Sequence, residues 1–238
     1  MDFDIPRETI FPVEHVDVAL DPGPHPFEAA NGAAIEANWA IETAANPALF
    51  DGRMALLSSL RYRGGRLDGR CHVVRYASFL YWRKVRPTAD AGHAFAHAMP
   101  VTTDNALVAI RMGSHTVGAG SVYFAAGSFE EPDFPGGKVD VDLNMAREVA
   151  EEIGIELAGL PRDPIYHAWS NVRGTVIVRR YRLPITASEA EAAIRAFVAS
   201  EADPEIEAPV IIRSTQDRPA GLAPHMPALI DWHFGSGE

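Results

Sequence analysis

Residues 143–157, reading LNMAREVAEEIGIEL, constrain this chain more than any other stretch. They have the pattern of a helix of about three to four turns. Asp142 or Asn144 can cap its start, and Gly154 stands where a left-handed residue would end it. At roughly 100° per residue, Ala146, Val149, Ala150 and Ile153 form one apolar stripe. Glu148, Glu151 and Glu152 fall on another face, because positions three and four apart are neighbours on a helix. Like charges at that spacing repel by a few tenths of a kcal/mol per pair even in water. Arg147 can reach Glu151 at i,i+4, but one arginine cannot neutralise three acids. A divalent cation with hard oxygen ligands can.

The run Arg147-Glu148-Val149-Ala150-Glu151-Glu152-Ile153-Gly154-Ile155 resembles the core motif of the Nudix hydrolases, R-E-U-x-E-E-x-G-U with U aliphatic. From average residue usage this pattern arises by chance in roughly one chain of this size in 10⁵. That decides against an ordinary solvated charge run. The resemblance implies an α/β fold: a Nudix-type α/β/α sandwich with a mixed sheet, spanning residues 92–238. It also implies Mg²⁺ (or Mn²⁺) and metal-dependent hydrolysis of a diphosphate bond. The substrate class is a nucleoside diphosphate linked to another moiety, a nucleotide sugar or similar compound.

Carried over residue by residue, Glu148, Glu151 and Glu152 are the metal carboxylates, with Glu148 and Glu152 aligned by their i,i+4 spacing. Arg147 orients Glu151 or a loop carboxylate, and Gly127 offers a backbone carbonyl. The general base is either a motif glutamate, Glu151 or Glu152, or a distal acid among Glu201, Glu205 and Glu207, of which Glu205 is preferred. Where the family pattern has an upstream glutamate and glycine, this chain has Val139 and Asp133. Asp140 and Asp142 are the nearby acids that could substitute. This departure motivates a second reading, a non-catalytic Nudix-like nucleotide-binding sensor.

The rest of the chain supplies context. A content of 47% hydrophobic and 22% charged residues is that of a soluble globular protein. No apolar run is long enough to span a membrane, and the acidic N-terminus has no secretory pattern. The single cysteine, Cys71, reads as a small core residue in a reducing compartment, and the expectation is a cytoplasmic protein. A net charge of −11 argues against general affinity for nucleic acid or anionic lipid. It leaves a small nucleotide-type substrate open, since a bound metal inverts the local field.

Along the chain, residues 13–20 alternate as a strand and 27–45 read as a helix with Ala34, Ala37, Trp39, Ile41 and Ala45 as apolar positions. Strands are expected at 53–62 and 66–74 as a hairpin about Gly64-Gly65, then a helix at 76–86. The basic residues Arg83, Lys84 and Arg86 beside Tyr81 and Trp82 suit a helix C-terminus; a surface for phosphates is the less favoured reading. Residues 1–91 are expected to form a small N-terminal α+β subdomain, which in longer family members can complete a substrate pocket or a homodimer contact. After a polar junction at 88–93, strands are expected within 94–104 and at 106–111, 120–126, 165–170 and 174–183. A helix capped by Ser188 follows at 188–199, then an edge strand at 207–213 interrupted by Pro209, and a last helix at 224–234. Arg111, Arg179 and Arg180 could clamp phosphate, although ion pairing is the simpler role for each. Tyr123, Phe124, Tyr166 and Trp169 could stack a base but more often belong to a core. The histidines show no zinc spacing.

Overall fold

The computed structural model describes residues 3–86, 90–116 and 118–235. The junction expected at 88–93 falls in part outside them. In chain order the elements are β1 (Phe3–Asp4), β2 (Ile10–Val13), β3 (His15–Leu20), α1 (Pro26–Ala45), β4 (Arg53–Arg63), β5 (Arg66–Arg75) and α2 (Tyr76–Val85). They continue with β6 (Ala94–Val101), β7 (Leu107–Met112), β8 (Val122–Tyr123), α3 (Val141–Ile153), β9 (Tyr166–Asn171) and β10 (Gly174–Arg182). The last are α4 (Ala187–Ser200), β11 (Ile206–Ile212) and α5 (Met226–Gly235). The fold is α/β with two mixed sheets. One is ordered β1-β4-β5-β3, and the other β11-β7-β6-β10-β9-β2 with β8 paired to β7. Among the described residues, no helix is long and apolar enough to cross a membrane.

The chain divides into two compact units that are not contiguous in sequence. Unit 1 comprises the residues up to Phe95 with Ser128–Val141 and Ala168–Val176; unit 2 comprises Ala96–Gly127, Asp142–His167 and the residues from Ile177.

In unit 1, β4 and β5 form the expected antiparallel hairpin. Gly64 and Gly65 both have positive φ (52° and 82°), the backbone a tight primed turn demands and glycine supplies without strain. The strands β1 and β3 add in parallel at either side. Phe27, Met54, Leu56, Val74, Phe79 and Trp82 form a buried cluster with Ala91, and the Trp82 indole N–H donates to the Ala91 carbonyl at 3.2 Å. The inward face of α1 differs from the expected one. Phe27, Ile35 and Asn38 are buried, whereas Ile41 is exposed. A helix rich in alanine carries little signal about which side faces the core, and Phe27 and Ile35 set the face instead. Cys71 is buried, and that burial pushes its thiol up to about 12.

In unit 2, β11 is an edge strand as its Pro209 requires, antiparallel to β7 with an irregularity between Ile206 and Ala208. Helix α4 packs on β11 and β7. Its cap is Thr186, not Ser188: the Thr186 hydroxyl accepts from the Glu189 N–H while the Glu189 carboxylate accepts from the Thr186 N–H, a reciprocal capping box. The strand expected at 120–126 shortens to β8. Beyond Tyr123 the backbone leaves the ladder, and its polar groups meet side chains: the Phe124 carbonyl bonds the His97 imidazole at 2.9 Å, and the Ala126 N–H donates to Glu152 at 3.0 Å.

Candidate functional site

Helix α3 begins at Val141, so Asp142 lies in its first turn, where a negative charge suits the helix dipole, and neither Asp142 nor Asn144 is the cap. Val141, Met145, Val149 and Ile153 are the fully buried stripe, and Ala146 and Ala150 are only half-buried. The larger side chains take the core, which rotates the helix from the expected face. That rotation carries Glu148 and Glu152, each one residue before a core position, inward. Glu148 is 8% exposed and Glu152 is 6%. The Glu151 side chain, at 60%, is in solvent. The helix ends at Gly154 with φ 67°, where any side chain would collide with the Phe197 ring.

The two inward carboxylates are held differently. The Glu152 Oε2 accepts the Ala126 N–H at 3.0 Å. Glu148 pairs with Arg147 at 2.8 Å, and the same guanidinium reaches Glu151 at 3.2 Å. Gly127 packs so closely on the Glu148 carboxylate that a Cβ would collide with it. Burial first, and the Glu148 charge second, hold the Glu152 carboxyl well above its ordinary value, against the lowering effect of the Ala126 N–H. The Glu205 charge acts in the same direction, more weakly. The phenol of Tyr123 is also raised, by burial and then by the charges of Glu152, Glu205 and Glu148. The structure thus brings Glu148, Glu152, Tyr123 and the exposed Glu205 within one electrostatic neighbourhood, beside Ala126 and Gly127.

Other candidates are placed elsewhere. One guanidinium nitrogen of Arg111 donates to the carbonyls of Gly120 (3.2 Å) and Ala220 (3.1 Å), tying two loops together. Arg179 is buried, pairs with Asp142 through both carboxylate oxygens at 2.9 Å, and lies 3.6 Å over the Tyr166 ring. Asp142 also accepts from Tyr181 at 3.0 Å and pairs with Arg162 at 2.8 Å, so this acid anchors the helix start. Arg180 pairs with Asp163 at 2.6 Å. Phe124 and Trp169 are core residues. Val139, at the position of the family's upstream glutamate, is buried and donates its N–H to the Val18 carbonyl at 3.0 Å. Asp133 is buried in a capping box with Glu130.

Among the described residues, no group of three or more His, Cys, Asp or Glu side chains converges as a metal site. Mg²⁺ is commonly held by one or two carboxylates with waters and substrate phosphates rather than by an all-protein cage. The donor set that fits is therefore the hard-oxygen pair Glu148 and Glu152, whose mutual repulsion Arg147 offsets only in part. Sequence reasoning missed the Ala126 N–H, which is backbone and leaves no residue signal. It named Tyr123 only as a stacking candidate.

No family model matches the sequence, and no curated relative matches it. Solved structures similar to it include DR0079 from Deinococcus radiodurans (12% identity, 50% of this chain and 66% of that one, TM-score 0.35). Others are the MutT protein from Methanosarcina mazei Go1 (19%, 38% and 61%, TM-score 0.26) and NrtR from Shewanella oneidensis (14%, 59% and 61%, TM-score 0.38). The chain spans less than two thirds of each. At these TM-scores none of them bears on its activity.

Proposed function

We propose that the chain is a divalent-metal-dependent hydrolase of a diphosphate bond in a nucleoside diphosphate linked to another moiety. The observation that carries this reading is the buried carboxylate pair Glu148/Glu152 on the helix whose sequence resembles the Nudix motif. Bound by that pair, Mg²⁺ or Mn²⁺ would neutralise diphosphate charge and acidify a coordinated water. Arg147 positions Glu148 by a direct ion pair, and Ala126 fixes Glu152 through its N–H. Gly127, lacking a side chain, leaves room for the Glu148 carboxylate. We assign proton abstraction from the attacking water to Glu205, a reading supported by its charge being felt at Glu152 while it remains open to solvent. Glu151 supports Arg147 from the exposed side of the helix rather than joining the pair.

The second reading, a nucleotide-binding sensor without turnover, is favoured by Val139 in place of the motif glutamate and by the solvent position of Glu151. Glu148→Gln and Glu152→Gln separate the two. An enzyme loses turnover by orders of magnitude with its fold intact. A sensor keeps its fold and changes mainly in ligand affinity, and that outcome would overturn the hydrolase reading.

A further inference from the structure

In a chain with 32 acids and 21 basic residues, arginines are expected to find carboxylates, and most described ones do: Arg66, Arg70, Arg75, Arg179 and Arg180 are examples. One end of unit 1 breaks this pattern. Arg7, Arg83, Arg86 and Arg173 have no carboxylate partner among the described residues, and they lie together. The Arg86 Nε donates to the Arg83 carbonyl at 2.7 Å. Asn171 links two others, accepting from an Arg7 guanidinium at its carbonyl and from the Arg173 N–H at its side chain (2.7 Å). Arg7, Trp82, Asn171 and Val172 line one small cavity, which places the β9–β10 turn against the end of α2. Burial, and then the charges of Arg173 and Arg83, lower the Arg86 guanidinium from its ordinary value, as expected of cations gathered without an acid. Asp90, the next acid in sequence after Arg86, is exposed.

Two further features are unusual for a merely solvated patch. Arg86 holds a left-handed conformation, φ 45°, at a helix end where glycine is the unstrained choice. Val85 and Val172, each preceding one of the arginines, are 47% and 59% exposed. A guanidinium presents a planar fork that matches phosphate oxygens two at a time, and several such cations gathered without an acid suit a multiply charged oxyanion better than a single carboxylate.

We propose that Arg7, Arg83, Arg86 and Arg173 form a binding site for a phosphoryl group, separate from the carboxylate pair of α3. It is independent of the hydrolase reading, since it involves none of those residues. The phosphoryl group could be carried by a free phosphorylated metabolite or by a lipid headgroup, and the exposed valines suit either.

The test uses inorganic pyrophosphate with the full chain in excess EDTA, so that carboxylate-held metal plays no part. Titration calorimetry should show saturable binding that weakens as salt is added. The double variant Arg86→Gly, Arg173→Gln should weaken it by about tenfold or more. Arg86→Gly suits the left-handed backbone, so folding is not at risk, and an unchanged melting temperature confirms that. Arg195→Gln, which removes an arginine paired with Glu191 elsewhere, should bind as the parent chain does. A second arm measures co-sedimentation with phosphatidylserine vesicles against phosphatidylcholine vesicles. Loss of pyrophosphate binding in the double variant identifies a free-phosphate site, and loss of vesicle binding alone identifies a headgroup site. Equal binding by variant and parent, or no binding of either probe by the parent, overturns the proposal.

Discussion

Replacing Glu152 by glutamine tests the physical core of the site without requiring a substrate. Glu148 and Glu152 are one helical turn apart and both are buried. Taking their charges as about 5–6 Å apart, an effective dielectric near 20 gives a repulsion of about 3 kcal/mol. The Arg147 ion pair to Glu148 offsets part of it, so Glu152→Gln should stabilise the metal-free chain by about 1–3 kcal/mol, or roughly 2–4 °C per kcal/mol for a chain of this size. The amide oxygen still accepts the Ala126 N–H, so that bond is kept. The sign with pH follows from the raised carboxyl. A glutamate whose folded value lies above its unfolded value is favourable in the fold while protonated and becomes a burden as pH rises past the ordinary value. The advantage of Glu152→Gln should therefore be absent in acid and grow towards alkaline pH. Excess Mg²⁺ should reverse the order, since the parent chain gains about 2.7 kcal/mol at a metal concentration a hundred times its Kd. Urea denaturation with EDTA and with Mg²⁺, across pH, reads all three. A variant less stable than the parent in EDTA at alkaline pH would refute the reasoning.

Gly127→Ala places a methyl against the Glu148 carboxylate; metal affinity, read by titration calorimetry, should fall about 10–100-fold with an unchanged circular dichroism spectrum. Gly154→Ala meets both a left-handed backbone and the Phe197 ring, and should cost about 2–4 kcal/mol in denaturant unfolding; adding Phe197→Ala should relieve the steric part. His225 is buried beside His97, with ring centroids 4.8 Å apart, and burial brings its imidazole down to about 4. Because the fold prefers the neutral ring, the stability it contributes is complete above pH 6.5 and is lost as pH falls towards 4, about 3 kcal/mol in all. His225→Leu should flatten acid unfolding over that window, and an acid midpoint unmoved by the substitution would count against it.

What was legible in the sequence was what is local. The hairpin about Gly64-Gly65, the stop at Gly154 and the edge strand with Pro209 each follow from one residue's backbone chemistry. The Glu148/Glu152 alignment follows from helical spacing. The rotation of α3 was not legible, because the alanines 146 and 150 score as apolar while Val141 and Met145 outcompete them for buried volume. That same rotation sends Glu151 into solvent. The shortening of β8 and the role of Ala126 depend on backbone groups meeting Glu152, and Val139 is held by Val18, more than a hundred residues away in sequence. Contacts of that range carry no residue pattern. The likeness of Ser188 and Thr186 as caps is a closer case: the Glu189 spacing selects Thr186 once the reciprocal box is sought.

The most direct test of the central claim is product identification after incubating the chain with a panel of nucleoside diphosphate-linked compounds and Mg²⁺ or Mn²⁺. The account predicts metal-dependent release of a nucleoside monophosphate from at least one of them, abolished by Glu152→Gln. Folded protein that binds the metal yet releases no product from any compound would contradict it.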